Sequence, residues 1–433
     1  MREELKLAQD LIDFIYDSPS QFHVVENLKN TLKGNGFKEL DIRERWNLEK
    51  GGSYFTTKND SALVAFRVGT GDVEKDGFRI IGAHTDSPTF RIKPRPEMVS
   101  EGAYLKLNTE VYGGPILNTW MDRPLSIAGR ISVKSENPLY PETVLVNIKK
   151  PILIIPNLAI HMNRKANEGF ELNRQKDTLP LVGMINDSLE KDNYLLKLVS
   201  ESAGIKLDDI LDFDLFLYEY EKGSIIGAND EFISCGKLDD LSLVHAGINA
   251  IINTKPALST NVMVCFDNEE VGSSTKQGAA SPMLKTILER IAFSLGKDKE
   301  DFFRALYSSF IISGDNAHAV HPNVPEKADP VSRPLINKGP AIKISASQSY
   351  TSDSDSSSVY TAICQKASVP VQKFVNRSDE RGGSTIGPIS STQLDIRSVD
   401  MGNPILAMHS VRELGGVMDQ MYAQKSFEEF YRL

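Results

Sequence analysis

Two neighbouring carboxylates, Glu269 and Glu270, follow the apolar run Thr260 to Phe266 in Cys265-Phe266-Asp267-Asn268-Glu269-Glu270-Val271-Gly272-Ser273. A strand interior seldom buries two adjacent charges, but at a strand end they can face a shared cation. One can then bind a metal while its neighbour stays free as a base for water. Alone, such a pair is most often a solvated turn. Four further stretches change that reading. His84-Thr85-Asp86-Ser87-Pro88 follows the run Phe78 to Ala83. His84 can ligate a metal there while Asp86 holds its second ring nitrogen. Asp239 lies in Gly236-Lys237-Leu238-Asp239-Asp240-Leu241, just ahead of a helical run. Asp315 follows the run Ser308 to Ser313, and His409 sits in Met408-His409-Ser410, on or beside a helix. Two histidines and three carboxylates suit a pair of divalent cations such as zinc, manganese or cobalt.

The elements that must position these residues are legible as patterns. Leu5, Ala8, Leu11, Ile12 and Ile15 recur at helical spacing, and a second helix carries Val24, Val25, Leu28 and Leu32. Ser53–Thr57 and Ala62–Val68 read as a hairpin. After the Phe78 to Ala83 strand the texture changes. From Phe90 to about Gly227, Gly, Pro and β-branched residues are frequent. Val144–Ile148, Ile152–Ile155 and Leu215–Tyr220 read there as strands, and Thr119-Trp120-Met121-Asp122-Arg123 as a packed strand after a turn at Tyr112-Gly113-Gly114-Pro115. Helices over 242–252, 281–295 and 356–367 then alternate with strands over 260–266, 308–313 and 340–345, and Arg381 to Pro388 reads as a glycine-rich loop. The expected architecture is an α/β core, residues 1–89 and 228–433, interrupted by a mostly-β insertion at 90–227.

The chain has 433 residues and a net charge of −9, which disfavours nucleic acid as a partner. Three cysteines, none in a Cys-x-x-Cys pair, fit a reducing compartment and exclude a zinc ribbon. No apolar run reaches the ~18–20 residues that span a bilayer. A cytoplasmic protein with no membrane partner is expected.

As an ordered set, His84 to Pro88, Phe266 to Ser273, Asp315 to Asn323 and Ala407-Met408-His409-Ser410 resemble the aspartyl aminopeptidase family of dinuclear zinc exopeptidases, and the match runs almost end to end. The resemblance implies a phosphorylase/hydrolase-like catalytic core, with the β-rich segment as an inserted dimerisation domain. It also implies a homo-oligomer, typically a dodecamer built from dimers. Carried over by residue, Asp239 would bridge two metal ions, zinc in the first place. His84 and Asp315 would complete one site, and Glu270 and His409 the other. Glu269 would be the base that activates a metal-bridged water, and Asp86 the partner of His84. His161 matches a histidine that reaches into a neighbouring subunit's active site. Lys343 matches a lysine that pairs with an acidic substrate side chain, and Tyr350 a tyrosine near the tetrahedral intermediate. The implied activity is removal of an N-terminal Asp or Glu from peptides. Ser349 stands where the family often has Arg, and Val324 where it often has Tyr. The alternatives are an aminopeptidase of neutral or basic preference, an amide deacylase, and a cage-forming scaffold with a dead site.

Overall fold

The computed structural model describes residues 2–185, 193–380 and 382–433. Its centre is a nine-stranded mixed sheet. Four strands in the middle run parallel: Thr260–Phe266, Phe78–His84, Phe310–Gly314 and Arg397–Gly402. All seven residues of Thr260–Phe266 are buried. Successive side chains of a strand point to opposite faces, so a strand covered on both sides is largely apolar, and its two polar residues, Thr260 and Asn261, are hydrogen-bonded. Met263 and Cys265 accordingly join the core formed with helices Glu3–Asp17, Gln21–Gly34, Leu238–Asn253 and Val417–Tyr431. Val262, Val264 and Phe266 join the opposite core, with helices Met283–Ser294 and Lys299–Tyr307. The expected hairpin is present as Ser53–Lys58 paired antiparallel with Ala62–Arg67.

Between Thr89 and Glu219 the chain builds a second, antiparallel sheet of six strands. Its own core includes Phe90, Trp120, Ile127 and Leu215. The long strand Thr89–Ser100 follows Phe78–His84 after only four residues, so the two sheets meet at the end that carries His84.

Several expectations give way. Thr119 to Arg123 is no strand. Leu117–Trp120 forms a single 3-10 turn that drives the Trp120 ring edge-on against Phe90, 5.3 Å between centroids. Ile152 to Ile155 makes only isolated bridges to Leu125 and Leu181. The β-rich segment also contains a helix, Tyr194–Ala203. A further helix, Lys299–Tyr307, starts at an Asp298/Asp301 capping box. Gly387 and Pro388 belong to the first turn of helix Ile386–Leu394 rather than to a loop. A side chain at Gly387 would press its Cβ within 2.5 Å of the Asp400 carboxylate. His409 lies on no helix. It sits in the turn between strands Pro404–Ile405 and Glu413–Gly416, with a φ of 68°.

Candidate metal centre

In sheets of this kind ligands gather beyond the carboxyl ends of the parallel strands. His84 is the last residue of its strand, and Asp315 follows directly on Phe310–Gly314. Beyond Phe266, Asn268 adopts a left-handed conformation, φ 62°, which its short polar side chain tolerates. A single 3-10 turn, Glu269–Val271, follows and is closed by Gly272 at φ 95°. This tight turn swings Glu269 and Glu270 back over the strand end. Asp239 comes from the first turn of Leu238–Asn253, where the backbone is kinked and the Asp239–Asp240 peptide is cis.

These segments bring the candidate ligands together. His84 Nε2 lies 3.9 Å from Asp239 Oδ1, while His409 Nε2 lies 3.7 Å from Asp239 Oδ2 and 3.4 Å from Glu270 Oε2. The two histidines therefore address different oxygens of one aspartate. Ligand atoms of His84, Asp239 and Glu270 lie within 4.8 Å of one another, as do those of His84, Glu269 and Asp315. Glu269 thus stands as close to the His84–Asp315 corner as a ligand would.

Both ring tautomers follow from the partners. His84 Nδ1 is 3.1 Å from the Asp86 carbonyl and His409 Nδ1 is 3.1 Å from the Gly114 carbonyl. A carbonyl only accepts, so each Nδ1 carries the hydrogen, and in the neutral ring each Nε2 keeps its lone pair for the centre. Asp86 Oδ1 lies 3.4 Å from His84 Nδ1. Its two oxygens also accept the backbone N–H groups of Glu269 and Glu270, at 3.1 and 3.2 Å. One buried carboxylate therefore fixes both the histidine and the diglutamate turn.

The electrostatics call for a cation. Burial pushes the carboxyls of Asp239, Asp240, Glu270 and Glu413 above their ordinary range, and neighbouring carboxylates add to it. Glu269 is pushed up to about 8 by burial, with His84 opposing and Asp315, Asp86 and Asp239 adding. Burial disfavours the His84 imidazolium, but Asp86, Asp240 and Glu269 outweigh it and raise its pKa. Asp239 Oδ1 and Glu270 Oε1 are buried without a hydrogen-bond partner. Orphaned anionic oxygens facing imidazole lone pairs are a donor set for borderline divalent ions.

Asp239, Glu269, Glu270, Asp315, His409, Lys343 and Tyr350 line one cleft. Lys343 is buried in the strand Ala341–Ile344, with its ammonium 2.5 Å from Asp315 Oδ1. Burial would lower its pKa, but Asp315 and Tyr350 raise it, so the ammonium stays charged. Gly383, Ser384 and Thr385 form part of the cleft wall. His161 is the one sequence candidate the chain does not bring there, since it lies exposed in a turn of the β-rich segment.

The comparisons accord with this geometry. The profile of the family described as Aminopeptidase I zinc metalloprotease (M18) matches residues 14–431. The chain belongs to the M18 family of aminopeptidases. A Probable M18 family aminopeptidase 2 of Clostridium novyi is 66% identical over 433 residues, spanning 100% of both chains. A chain in the cryo-EM structure of the Ape4 and Nbr1 complex superposes with a TM-score of 0.95 at 36% identity, covering 99% of this M18 chain and 86% of that one. The S. cerevisiae mApe1 dodecamer gives a TM-score of 0.85 at 28% identity, covering 98% and 96%. This M18 chain is therefore a metal-dependent aminopeptidase with a mixed α/β, hydrolase-like core.

Four supports in the M18 centre escaped the sequence reading. Glu413, buried, accepts the backbone N–H of Asp239 at 3.1 Å and of His409 at 2.8 Å. Asp240 Oδ2 accepts the His84 N–H at 3.2 Å. Tyr112 and Gly114 reach the centre from the second sheet. Asp240 carried a signal in its adjacency to Asp239, and Tyr112 and Gly114 only that of the turn at 112–115.

Proposed function

We propose that the protein removes one N-terminal residue, preferentially Asp or Glu, from peptides, using two divalent cations per subunit, zinc first. The observation that carries this reading is the single cleft in which five candidate metal and proton-transfer residues face Lys343 and Tyr350. Asp239 would be shared by both cations, His84 and Asp315 would hold one, and Glu270 and His409 the other. Bound there, the cations would supply the Lewis acidity that makes a water and the first peptide carbonyl reactive. Glu269, close to His84 and Asp315, takes the proton of the attacking water and returns it to the leaving amine nitrogen. Its place in the cleft beside both residues supports that double role. Asp86 holds His84 and the diglutamate turn in register. The Tyr350 hydroxyl, 3.4 Å from Asn376 Nδ2, is the donor for the tetrahedral oxygen. Of the three N–H donors of Lys343, one serves Asp315 and two remain for a substrate carboxylate.

The separate sheet and core between Thr89 and Glu219 support reading residues 90–227 as an inserted dimerisation domain. Exposed Leu158, Ile160 and Met162 flank His161, which suits a loop that reaches into a neighbouring subunit. The dodecameric state of mApe1 supports a like assembly here. Three free, buried cysteines suit the cytoplasm, and among the described residues no helix is long and apolar enough to cross a membrane.

A second reading, an aminopeptidase of neutral or basic preference, is favoured by the tight Lys343–Asp315 contact and by Ser349. Initial rates on Asp, Glu, Leu, Lys and Ala aminoacyl substrates, with zinc, manganese, cobalt or chelator, decide between them. Chelator-sensitive rates highest on Asp and Glu, lost selectively in Lys343→Ala, carry the acidic reading. Rates highest on Leu or Lys move the preference to the second.

A further inference from the structure

The second sheet touches the metal centre at one place only among the contacts just described, the end of its strand Tyr104–Tyr112 and the turn after it. The Tyr112 ring is anchored in its own sheet, edge-on to Phe216 with 5.6 Å between centroids. Its hydroxyl leaves that sheet. It donates to Asp86 Oδ2 at 2.8 Å and accepts from Asn268 Nδ2 at 2.8 Å. Asp86 is the carboxylate that orders His84, Glu269 and Glu270, and Asn268 begins the turn that carries the two glutamates. Two residues on, the Gly114 carbonyl sets the His409 tautomer, and the Ile116 N–H donates to the His409 carbonyl at 2.9 Å. Gly113 lies between these grips at φ 70°. A Cβ there would stand 3.1 Å from Glu270 Cβ and 3.4 Å from Pro88 Cα, so only glycine lets the strap lie this close.

We infer that Tyr112 is a positioning residue and that the segment 112–116 holds both halves of the metal centre from outside the catalytic core. One half is gripped through Asp86 and Asn268, the other through His409. The strap has no residue that lines the cleft. It acts by keeping two imidazoles and the diglutamate turn at the separation a pair of cations needs, so metal retention depends on the second sheet. Partners of metal ligands at this remove commonly change metal affinity by about 10–100-fold when lost.

The inference rests on the metal-centre reading above, and its test separates the two. Zinc affinity is measured on the full chain by competition with a chromogenic chelator. The visible spectrum of the cobalt-loaded protein reports ligand geometry, and melting of the metal-free protein reports fold. Tyr112→Phe keeps the ring and removes one hydroxyl. It is expected to lower zinc affinity at least about tenfold and alter the cobalt spectrum. At saturating zinc kcat falls while KM stays within about twofold, as for a loss felt beyond the ground state. Tyr218→Phe removes a hydroxyl from the same sheet that bonds Asn147 Oδ1 at 2.7 Å, and should change none of the metal readouts. Gly113→Ala, which wedges the strap away, should reproduce the Tyr112→Phe effect on affinity. If Tyr112→Phe matches wild type in zinc affinity and cobalt spectrum, or Tyr218→Phe weakens zinc equally, the inference is overturned while the metal-centre reading stands. A wild-type protein that binds no divalent cation takes down both.

Discussion

Stripping the divalent cations from this protein should invert the usual response of its stability to pH. The buried carboxyls then face one another with no counter-charge, and Glu269 sits at about 8 instead of 4.5. The sign follows from proton counting. Between pH 4.5 and 8 the folded chain holds a proton on Glu269 that the unfolded chain has released, so folding takes up a proton and stability falls as pH rises. At about 1.4 kcal/mol per tenfold change in proton activity, the gap amounts to about 5 kcal/mol by pH 8 for this group alone. Asp239, Asp240 and Glu270 are shifted in the same direction and deepen the loss. Zinc reverses the slope, because cations compete with protons for the same oxygens and bind more tightly as pH rises. A thousandfold excess of cation over its dissociation constant adds about 4 kcal/mol of stability. The assay is thermal melting from pH 5 to 8.5, with chelator and with zinc. The chelated protein should melt progressively lower above pH 5, and the zinc form should not. Chelated Glu269→Gln should show a shallower fall by one proton, and with zinc it should retain metal but lose nearly all turnover. A chelated wild type whose melting temperature holds steady or rises over that range would refute the cation-free cluster as described.

Glu413→Ala leaves one buried N–H group, that of Asp239, and one half-buried, that of His409, without an acceptor. At about 1–3 kcal/mol for the buried group, denaturant titration should find at least about 1 kcal/mol lost, with weakened zinc binding; full retention of both would mean the carboxylate is dispensable. His23 is held down at about 4 by burial, with its Nδ1 2.8 Å from Ser20 Oγ. Its depressed pKa contributes stability that is present above 6.5 and lost as pH falls toward 4, so wild type should lose up to about 3 kcal/mol over that window relative to His23→Gln. Parallel pH–stability curves for the two proteins would count against it.

What the sequence displays most openly is the set of strands that end at the centre. From Val262 to Phe266 the strand is apolar on both faces because both are covered, so the carboxylates that follow it stand out. His84 and Asp315 stand out for the same reason. His409 does not, because its place is fixed by a turn between two short strands, and helix capping or apolar period says nothing of such turns. Glu413 and Tyr112 are invisible because their partners lie far along the chain. The helix Lys299–Tyr307 was missed although Asp298 and Asp301 form a readable capping box, since only Phe302, Ala305 and Leu306 are buried along it. A lysine in a strand is usually a solvated edge residue, yet the strand of Lys343 is flanked on both sides, which only the strand order reveals.

The strand Phe78–His84 has as its neighbours Thr260–Phe266 and Phe310–Gly314, both made long after it, and the Asp239 N–H waits for Glu413. Synthesis must therefore pass residue 413 before the last candidate ligand, His409, and its support exist together. A chain ending before His409 lacks one candidate cation ligand and the carboxylate that seats Asp239, whatever else it has folded. Hydrolytic competence is thus expected only in a chain that extends past Glu413.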